Sequence, residues 1–566
     1  KPNECIGCPF CQDGKGFVPD EVRPEAKILL IAQNPGETEV ERGKPLVGRT
    51  GVMTLGWLNS LGFSREQVSL ANVIKCQWQG KNYLPENHLG GFSEVTMKAA
   101  EWCKKAYLNE TLYNARPNVT ALLGELALNI VAKRQGITNW RGSVWVDHGR
   151  KMVALTHPAS LFRDPRLRTA MRQDFARVVR EAGRPEMEVV YHDRFRQNIS
   201  PKAFCLLLND LGADPRRRVA LDIETSYHKA AEASLKTIGV GWESEVAANV
   251  DFAGCDSNER GEIVRSLSSF LGEWITATPF DYTVLSRYGV SFRWEGCHDL
   301  TLLHSRFDIE LPHTLSFISS MWTERPYWKY LNSEDPYRYN CLDCAATFEG
   351  FKKLWIHCMK NDQSVIKCYE ADRKLEKVCV AFMLNGLPFD KKCYEEEKKY
   401  YEVKREELMN EVAASFSPNT EVIDSGAPES CTRHPRYSGK SPVGKRKGET
   451  CTCGHCNLIR EYYLSRQPLN LRSRHQLARK LREGGMHVGK SLDKGNVVKL
   501  AKKYNDPRLM RYLEFIKQDT IVTRYFTKSQ VSKKTGRIHS SYSMHGAKHR
   551  WSSSEPNAQQ FMRPED

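Results

Sequence analysis

The chain of 566 residues is long enough for roughly three or four domains. With 84 Lys and Arg against 68 Asp and Glu, its formal net charge of +16 favours a polyanionic partner such as nucleic acid, the alternative being a basic surface without a partner. No run is long and apolar enough for a membrane span, and no signal peptide is visible; the 18 cysteines are not spread like a secreted disulfide framework, and two clusters stand out, near the N-terminus and near residues 431–456, which in an intracellular protein read as metal sites.

Residue 1 is Lys rather than Met, so the natural start is expected upstream. Residues 27–32 read as a buried strand that runs into the tight loop Gln33-Asn34-Pro35-Gly36-Glu37. Residues 43–51 are glycine-rich and precede a helix pattern, and glycine lets backbone approach a ligand closely. Two further strands, 71–76 and 152–156, end in polar residues, the second in His157-Pro158-Ala159-Ser160. Strand ends that feed polar loops are where α/β folds place ligand sites. On its own, His157 would read as a satisfied loop histidine.

Together with Leu122-Leu123-Gly124 and Arg141-Gly142, these segments resemble the family 4 uracil-DNA glycosylases over most of residues 1–180. The resemblance implies an α/β/α domain over residues 1–185, with a base pocket of Gln33, Asn34, Leu46, Asn72 and His157. It also implies a four-cysteine site of Cys5, Cys8, Cys76 and Cys103. Four thiolates suit a [4Fe–4S] cluster, and zinc is the rival; Cys11 stays unassigned. Gln33 stands where the family carries a Glu, and Leu46 where it carries a Phe that stacks on the extruded base. An amide cannot act as a general base, and leucine offers no aromatic face. The expectation is a DNA-binding or scaffolding module with weak or no uracil excision.

Residues 186–216 hold Arg194, Arg196, Pro201, Pro215 and the run Arg216-Arg217-Arg218, and read as a linker, although Leu206-Leu207-Leu208 suggests that part of it packs. Residues 219–225 then form a strong strand signal. Alternation puts Asp222 and Glu224 on one face. Two carboxylates so placed can share divalent metals, which clamp the attacking and leaving oxygens of a phosphodiester. An isolated Asp-x-Glu is weak, since exposed acids on strands are common. Residues 238–242 read as the adjacent strand, Asp281 falls where the chain turns helical, and Asp299 has the look of a helix cap. Tyr339 and Asp343, four apart, share a helix face. In this order the set resembles the DnaQ-like proofreading 3′–5′ exonucleases of family A DNA polymerases. That implies a ribonuclease H-like domain over residues 217–350. Asp222, Glu224, Asp281 and Asp343 would hold two Mg²⁺ or Mn²⁺ ions, and Tyr339 would orient the attacking water. Ala277 replaces the family's Asn four residues before the second Asp.

Residues 351–535 are long, charged and helical in period, broken at Asn385-Gly386-Leu387-Pro388. A solvated helical pair is the default reading; in context they resemble a family A polymerase thumb, with residues 469–477 at its tip. Positive side chains there would grip primer–template phosphates. Within it, at about residues 425–460, Cys431-x-x-His434 and Cys453-x-x-Cys456 form a candidate zinc site in a basic loop, against the alternative of incidental thiols. Residues 536–566 are similar to the opening of the family A palm. By that resemblance Arg550, Asn557 and Gln559 contact the minor groove, where groove atoms report base-pair shape rather than sequence.

The expected architecture is α/β and multidomain: glycosylase-like domain, ribonuclease H-like exonuclease, mainly helical thumb and start of palm. The expected function is 3′–5′ proofreading within a DNA replication or repair polymerase of a bacterial or phage-infected cytoplasm. Polymerisation is expected to need a second polypeptide or a C-terminal segment that carries palm and fingers with the metal aspartates. The alternatives are a uracil-DNA glycosylase-type repair enzyme that also trims ends, and a non-catalytic DNA-binding subunit of a split polymerase. DNA is the partner in every reading, with no membrane.

Overall fold

The computed structural model describes all residues except 79–91, 188–190, 228, 417–469, 490–491, 527–530, 545–550 and 559–566. Two compact units divide the chain: residues 1–387 with 532–566, and residues 388–531. None of the helices in the described residues is long and apolar enough to cross a membrane.

Among the described residues, the first unit contains two large sheets beside two two-stranded ribbons. The N-terminal one is built from β1 (Ile28–Ala32), β2 (Val68–Asn72), β3 (Val119–Leu123), β4 (Val144–Asp147) and β5 (Arg150–Leu155), in the order β2-β1-β3-β5-β4. All pairs are parallel except the β4–β5 hairpin. Strands β1, β2 and β3 are buried on both faces, which is why they read as continuous apolar runs rather than alternating ones. Helices α1 (Glu37–Arg42), α2 (Arg49–Ser60), α3 (Glu94–Cys103) and α4 (Arg168–Ala182) accompany this sheet.

The second sheet follows the order β11-β10-β7-β8-β9-β6, from β6 (Arg194–Arg196), β7 (Arg218–Thr225), β8 (Leu235–Glu243), β9 (Val246–Asp251), β10 (Glu273–Thr276) and β11 (Cys297–Asp299). Strands β7, β8 and β9 form an antiparallel meander, while β10 pairs β7 in parallel. Helices α5 (Pro201–Gly212), α6 (Pro279–Arg287) and the long α7 (Pro336–Asn361) complete this layer. The expected linker over 186–216 is corrected here. Its residues Arg194–Arg196 add a parallel edge strand to β9, and α5 buries Phe204, Leu208 and Leu211 in the same core as β7 and β8.

The expected boundary at residue 351 also moves. Helix α8 (Glu376–Asn385) places Cys379, Val380 and Met383 in the first unit's core, and the chain divides only after Leu387. Leu387 exchanges backbone hydrogen bonds with Ile538 at 2.7 and 3.0 Å. A short hairpin of β12 (Ser541–Ser543) and β13 (Ser552–Ser554) follows; Phe382 packs on its Tyr542 and on Trp551.

The second unit is helical: α9 (Lys391–Phe416), α10 (Arg474–Glu483), α11 (Lys494–Tyr504) and α12 (Pro507–Ile521). Ser473, Asp493 and Asp506 cap the last three through side-chain oxygens. Leu408, Val412, Leu477, Leu481, Leu509 and Phe515 meet in its core.

Candidate active sites

Strand β7 delivers Asp222 and Glu224 to one face while Ile223 between them enters the core. Helix α7 crosses that face closely. It can do so because β8 carries Gly239 and Gly241 at the crossing: a Cβ on Gly239 would stand 2.2 Å from Asn340 Oδ1, and one on Gly241 3.0 Å from Cys344. The close approach lets Asn340 Nδ2 donate to Asp222 Oδ2 at 2.8 Å and brings Asp343 in from the next turn. One carboxylate oxygen each of Asp222, Glu224 and Asp343 lies within 4.8 Å of the other two, and among the described residues this is the one such set of three or more His, Cys, Asp or Glu donors.

Asp281, on α6, is buried next to them and accepts a hydrogen bond from Ile223 N at 3.3 Å; its oxygens are not in the 4.8 Å set. Burial, then Asp343, Glu224 and Asp281, push Asp222 well above the usual carboxylate range, with Lys329 opposing. Burial and Asp343 raise Glu224 to about 7, and burial raises Asp281 to about 8. Carboxylates crowded and raised in this way make a candidate functional site.

Three contributors were not anticipated from sequence. Lys329 Nζ donates to Asp343 Oδ2 at 2.6 Å and to Tyr339 OH at 2.9 Å. Trp328 Nε1 donates to Asp343 Oδ1 at 2.6 Å. Asn340 is the third. Tyr339 is buried, and burial with Asp343 raises its pKa, so the phenol stays protonated. With its oxygen already accepting from Lys329, the phenol's own proton is available to donate.

The second candidate site is a pocket of about 390 Å³ at the carboxyl ends of β1, β2 and β5. Asn34, Leu46, Asn72 and His157 line it, with Glu39, Arg49 and Gln77. Gln33 is half-buried and not among the lining residues, and its backbone carbonyl accepts from Ile74 N at 3.0 Å. Glu39 was missed by sequence reasoning. It ties the pocket's two loops together, Oε2 accepting from Gly36 N at 3.0 Å and Oε1 from Gly48 N at 2.8 Å. Leu46 has φ 52°, a left-handed conformation rare for leucine, and α2 fits against it only because residue 51 is glycine: a Cβ there would stand 2.2 Å from the Leu46 carbonyl. His157 Nδ1 accepts from Ala159 N at 3.3 Å, and burial plus Arg163 push its pKa down to about 4. The ring is therefore neutral with its proton on Nε2.

The third is the cysteine set. Cys5, Cys8, Cys76 and Cys103, with Cys11, line one small cavity of about 10 Å³. A hydrogen bond with Cys103 draws Cys8 down to about 6, while burial lifts Cys76 to about 11. A Cβ on Gly14 would stand 2.6 Å from Cys76 Sγ, so glycine is needed beside the thiol. Between this cavity and the pocket lies a buried ion pair: Lys75 Nζ contacts Asp20 at 2.6 and 2.7 Å and Asn72 O at 2.5 Å.

Cys431, His434, Cys453 and Cys456 lie outside the described residues, as do Arg550 and Gln559. Asn557 Oδ1 accepts from the Ser553 hydroxyl at 3.0 Å at the end of the hairpin.

A family model described as the uracil DNA glycosylase superfamily matches residues 19–182. The type-4 uracil-DNA glycosylase of Saccharolobus solfataricus is 29% identical over 185 residues, covering 31% of this chain and 80% of that protein. The type-4 enzyme of Archaeoglobus fulgidus is 28% identical over 191 residues, covering 32% and 90%. A DNA polymerase of Bacillus phage SP01 is 24% identical over 143 residues, 25% of this chain but 14% of the polymerase. Among solved structures, the POL domain of Pol1 from M. smegmatis in complex with DNA primer-template and dNTP aligns with TM-score 0.47 and 15% identity, over 66% of this chain and 56% of that one. Residues 19–182 thus carry a domain of the uracil-DNA glycosylase superfamily, joined within one compact unit to the sheet that bears the carboxylate centre.

Proposed function

We propose that this DNA-processing chain removes nucleotides from DNA 3′ ends by metal-assisted hydrolysis, and that its helical unit serves as a polymerase thumb. The observation that carries the hydrolytic reading is the three-carboxylate set of Asp222, Glu224 and Asp343. All of its donors are oxygens, which suits Mg²⁺ or Mn²⁺, and Asp222 and Glu224 are raised first by burial and then by the neighbouring carboxylates, charge that a bound cation would offset. Asp222, Glu224 and Asp343 would hold the ions, with Asp281 behind them. When bound, such ions supply an activated water and neutralise charge on the attacking and leaving oxygens. The chain's own groups do the rest. Asn340 fixes Asp222, Trp328 fixes Asp343, and the protonated Tyr339 phenol donates a hydrogen bond to a water or phosphate oxygen in front of it. With Mg²⁺, the purified chain is expected to release mononucleotides from a labelled single strand, and EDTA to stop it. Release that persists in EDTA would contradict the reading.

The superfamily match favours a second activity-bearing site, the pocket of Asn34, Leu46, Asn72 and His157. The neutral His157 can donate from Nε2 to a base carbonyl, and Asn72 can pair with a base edge. Of the two acids in the lining, Glu39 has both oxygens engaged by backbone N–H groups and Glu37 is exposed. With leucine at 46 in place of an aromatic face and an amide at 33 in place of a carboxylate, the reading is a pocket that binds a flipped base with weak or no excision. Uracil-containing single strands are expected to bind more tightly than thymine ones while uracil release stays at background. Uracil release at several turnovers per hour would overturn this part. For the cysteines, four thiols around one cavity suit an iron–sulfur cluster, and their spacing outside the 4.8 Å donor set suits it better than a single zinc ion.

A further inference from the structure

The carboxylate centre contains a cation of its own. Lys329 opens the short turn Lys329–Asn332, and its ammonium sits on Asp343 Oδ2 and on the Tyr339 hydroxyl. Trp328, immediately before it, holds Asp343 Oδ1. Both oxygens of Asp343 are thus taken by two consecutive residues, and the ammonium lies 4.7 Å from the centre of the Tyr339 ring. Resting on the hydrolytic reading, we propose that Lys329 is a positioning residue with two linked effects: it competes with the divalent ion for Asp343, and it holds the Tyr339 phenol in its working orientation.

The argument is electrostatic and geometric. Asp343 is one of the three acids whose oxygens converge, so an ion that joins all three must share or displace the ammonium at 2.6 Å. An ammonium has three donors, and here two of them are aimed at different acceptors. Loss of the Asp343 contact leaves the Tyr339 contact in place. The phenol then keeps its oxygen facing Lys329 and its proton facing the substrate side. Lys329 therefore sets the metal concentration at which the centre fills, and it also contributes to turnover once filled.

The two effects have opposite signs when the charge is removed, which separates this role from a merely structural one. Mn²⁺ binding to the full chain is measured by electron paramagnetic resonance of the free ion, and turnover on a 3′-labelled single-stranded oligonucleotide at saturating Mn²⁺. Lys329→Met is expected to bind Mn²⁺ about tenfold more tightly, since one adjacent positive charge is gone. The same variant is expected to turn over about 10- to 100-fold more slowly, since Tyr339 loses its orientation. Lys329→Arg keeps the charge and is expected to restore near wild-type Mn²⁺ affinity and part of the rate. Lys329→Gln serves as a second neutral variant where methionine disturbs folding, as read by near-ultraviolet circular dichroism. Mn²⁺ affinity that is unchanged or weaker in both neutral variants overturns the proposal, as does wild-type turnover in them. If the wild-type chain releases no nucleotide, the hydrolytic reading fails, and the competition for Asp343 is then decided by the Mn²⁺ arm alone.

Discussion

Asp343→Asn is expected to slow release of 3′-terminal nucleotides by about a thousandfold, equal to about 4 kcal/mol of activation barrier. Asparagine matches the shape of aspartate and can still accept the Trp328 hydrogen bond, so packing of α7 on the sheet survives. What is lost is one of three convergent charges and the partner of Lys329. Initial rates with Mg²⁺ check this; a loss under tenfold would mean that Asp343 is not part of the reacting centre. The same electrostatics make a statement about stability. Glu224 holds its proton more tightly folded than unfolded, its pKa rising from 4.5 to about 7. Its stabilising contribution in the metal-free chain is complete below about pH 4.5 and lost as pH rises through about 7. Added Mn²⁺ is expected to offset that loss, which denaturant titrations at pH 6 and 8 would show.

The second large effect is expected at the seam between the glycosylase-superfamily domain and the carboxylate-bearing sheet. Arg141 is buried and bonds Asp174 at 2.9 and 2.5 Å and Ser320 Oγ at 2.7 Å, with its guanidinium 4.9 Å from the Phe317 ring. Arg177 alongside donates to the Gly142 carbonyl and to Thr323 O. Arg141, Asp174 and Arg177 belong to the first domain; Phe317, Ser320 and Thr323 belong to the second. Asp174→Ala leaves a buried guanidinium without its counter-charge and is expected to cost about 3–5 kcal/mol. The double exchange Arg141→Met with Asp174→Leu removes the paired charges but leaves the buried Arg177 without Asp174, and is expected to recover part of it, since apolar replacements of buried pairs are often neutral. Urea unfolding of the three proteins decides; equal loss in the single and double variants would contradict the account of this seam.

What could be read in the sequence follows from periodicity. Asp222 and Glu224 alternate with buried Ile223, and Tyr339 and Asp343 sit one helical turn apart, so local geometry alone pairs each set. Lys329 and Trp328 could not be found that way. They open the short turn Lys329–Asn332 between two helices, and only the fold brings them to Asp343. Residues 194–196 offer a single apolar side chain between two arginines, too short a pattern to signal a strand, yet backbone pairing with β9 makes them one. Gln33 and Glu39 show how loop contacts escape a reading by periodicity. Gln33 follows a pocket strand directly, but its carbonyl is spent on Ile74 and its side chain is not in the lining, whereas Glu39, six residues on, reaches both loops.

The most direct test is hydrolysis at a 3′ end. The purified chain is incubated with Mg²⁺ and a 3′-labelled single strand, beside an Asp222→Ala/Glu224→Ala variant whose folding is checked by circular dichroism. Mononucleotide release by the wild-type chain and none by the variant is the predicted result. Equal release by both, or none by the wild-type chain, would contradict a hydrolytic carboxylate centre.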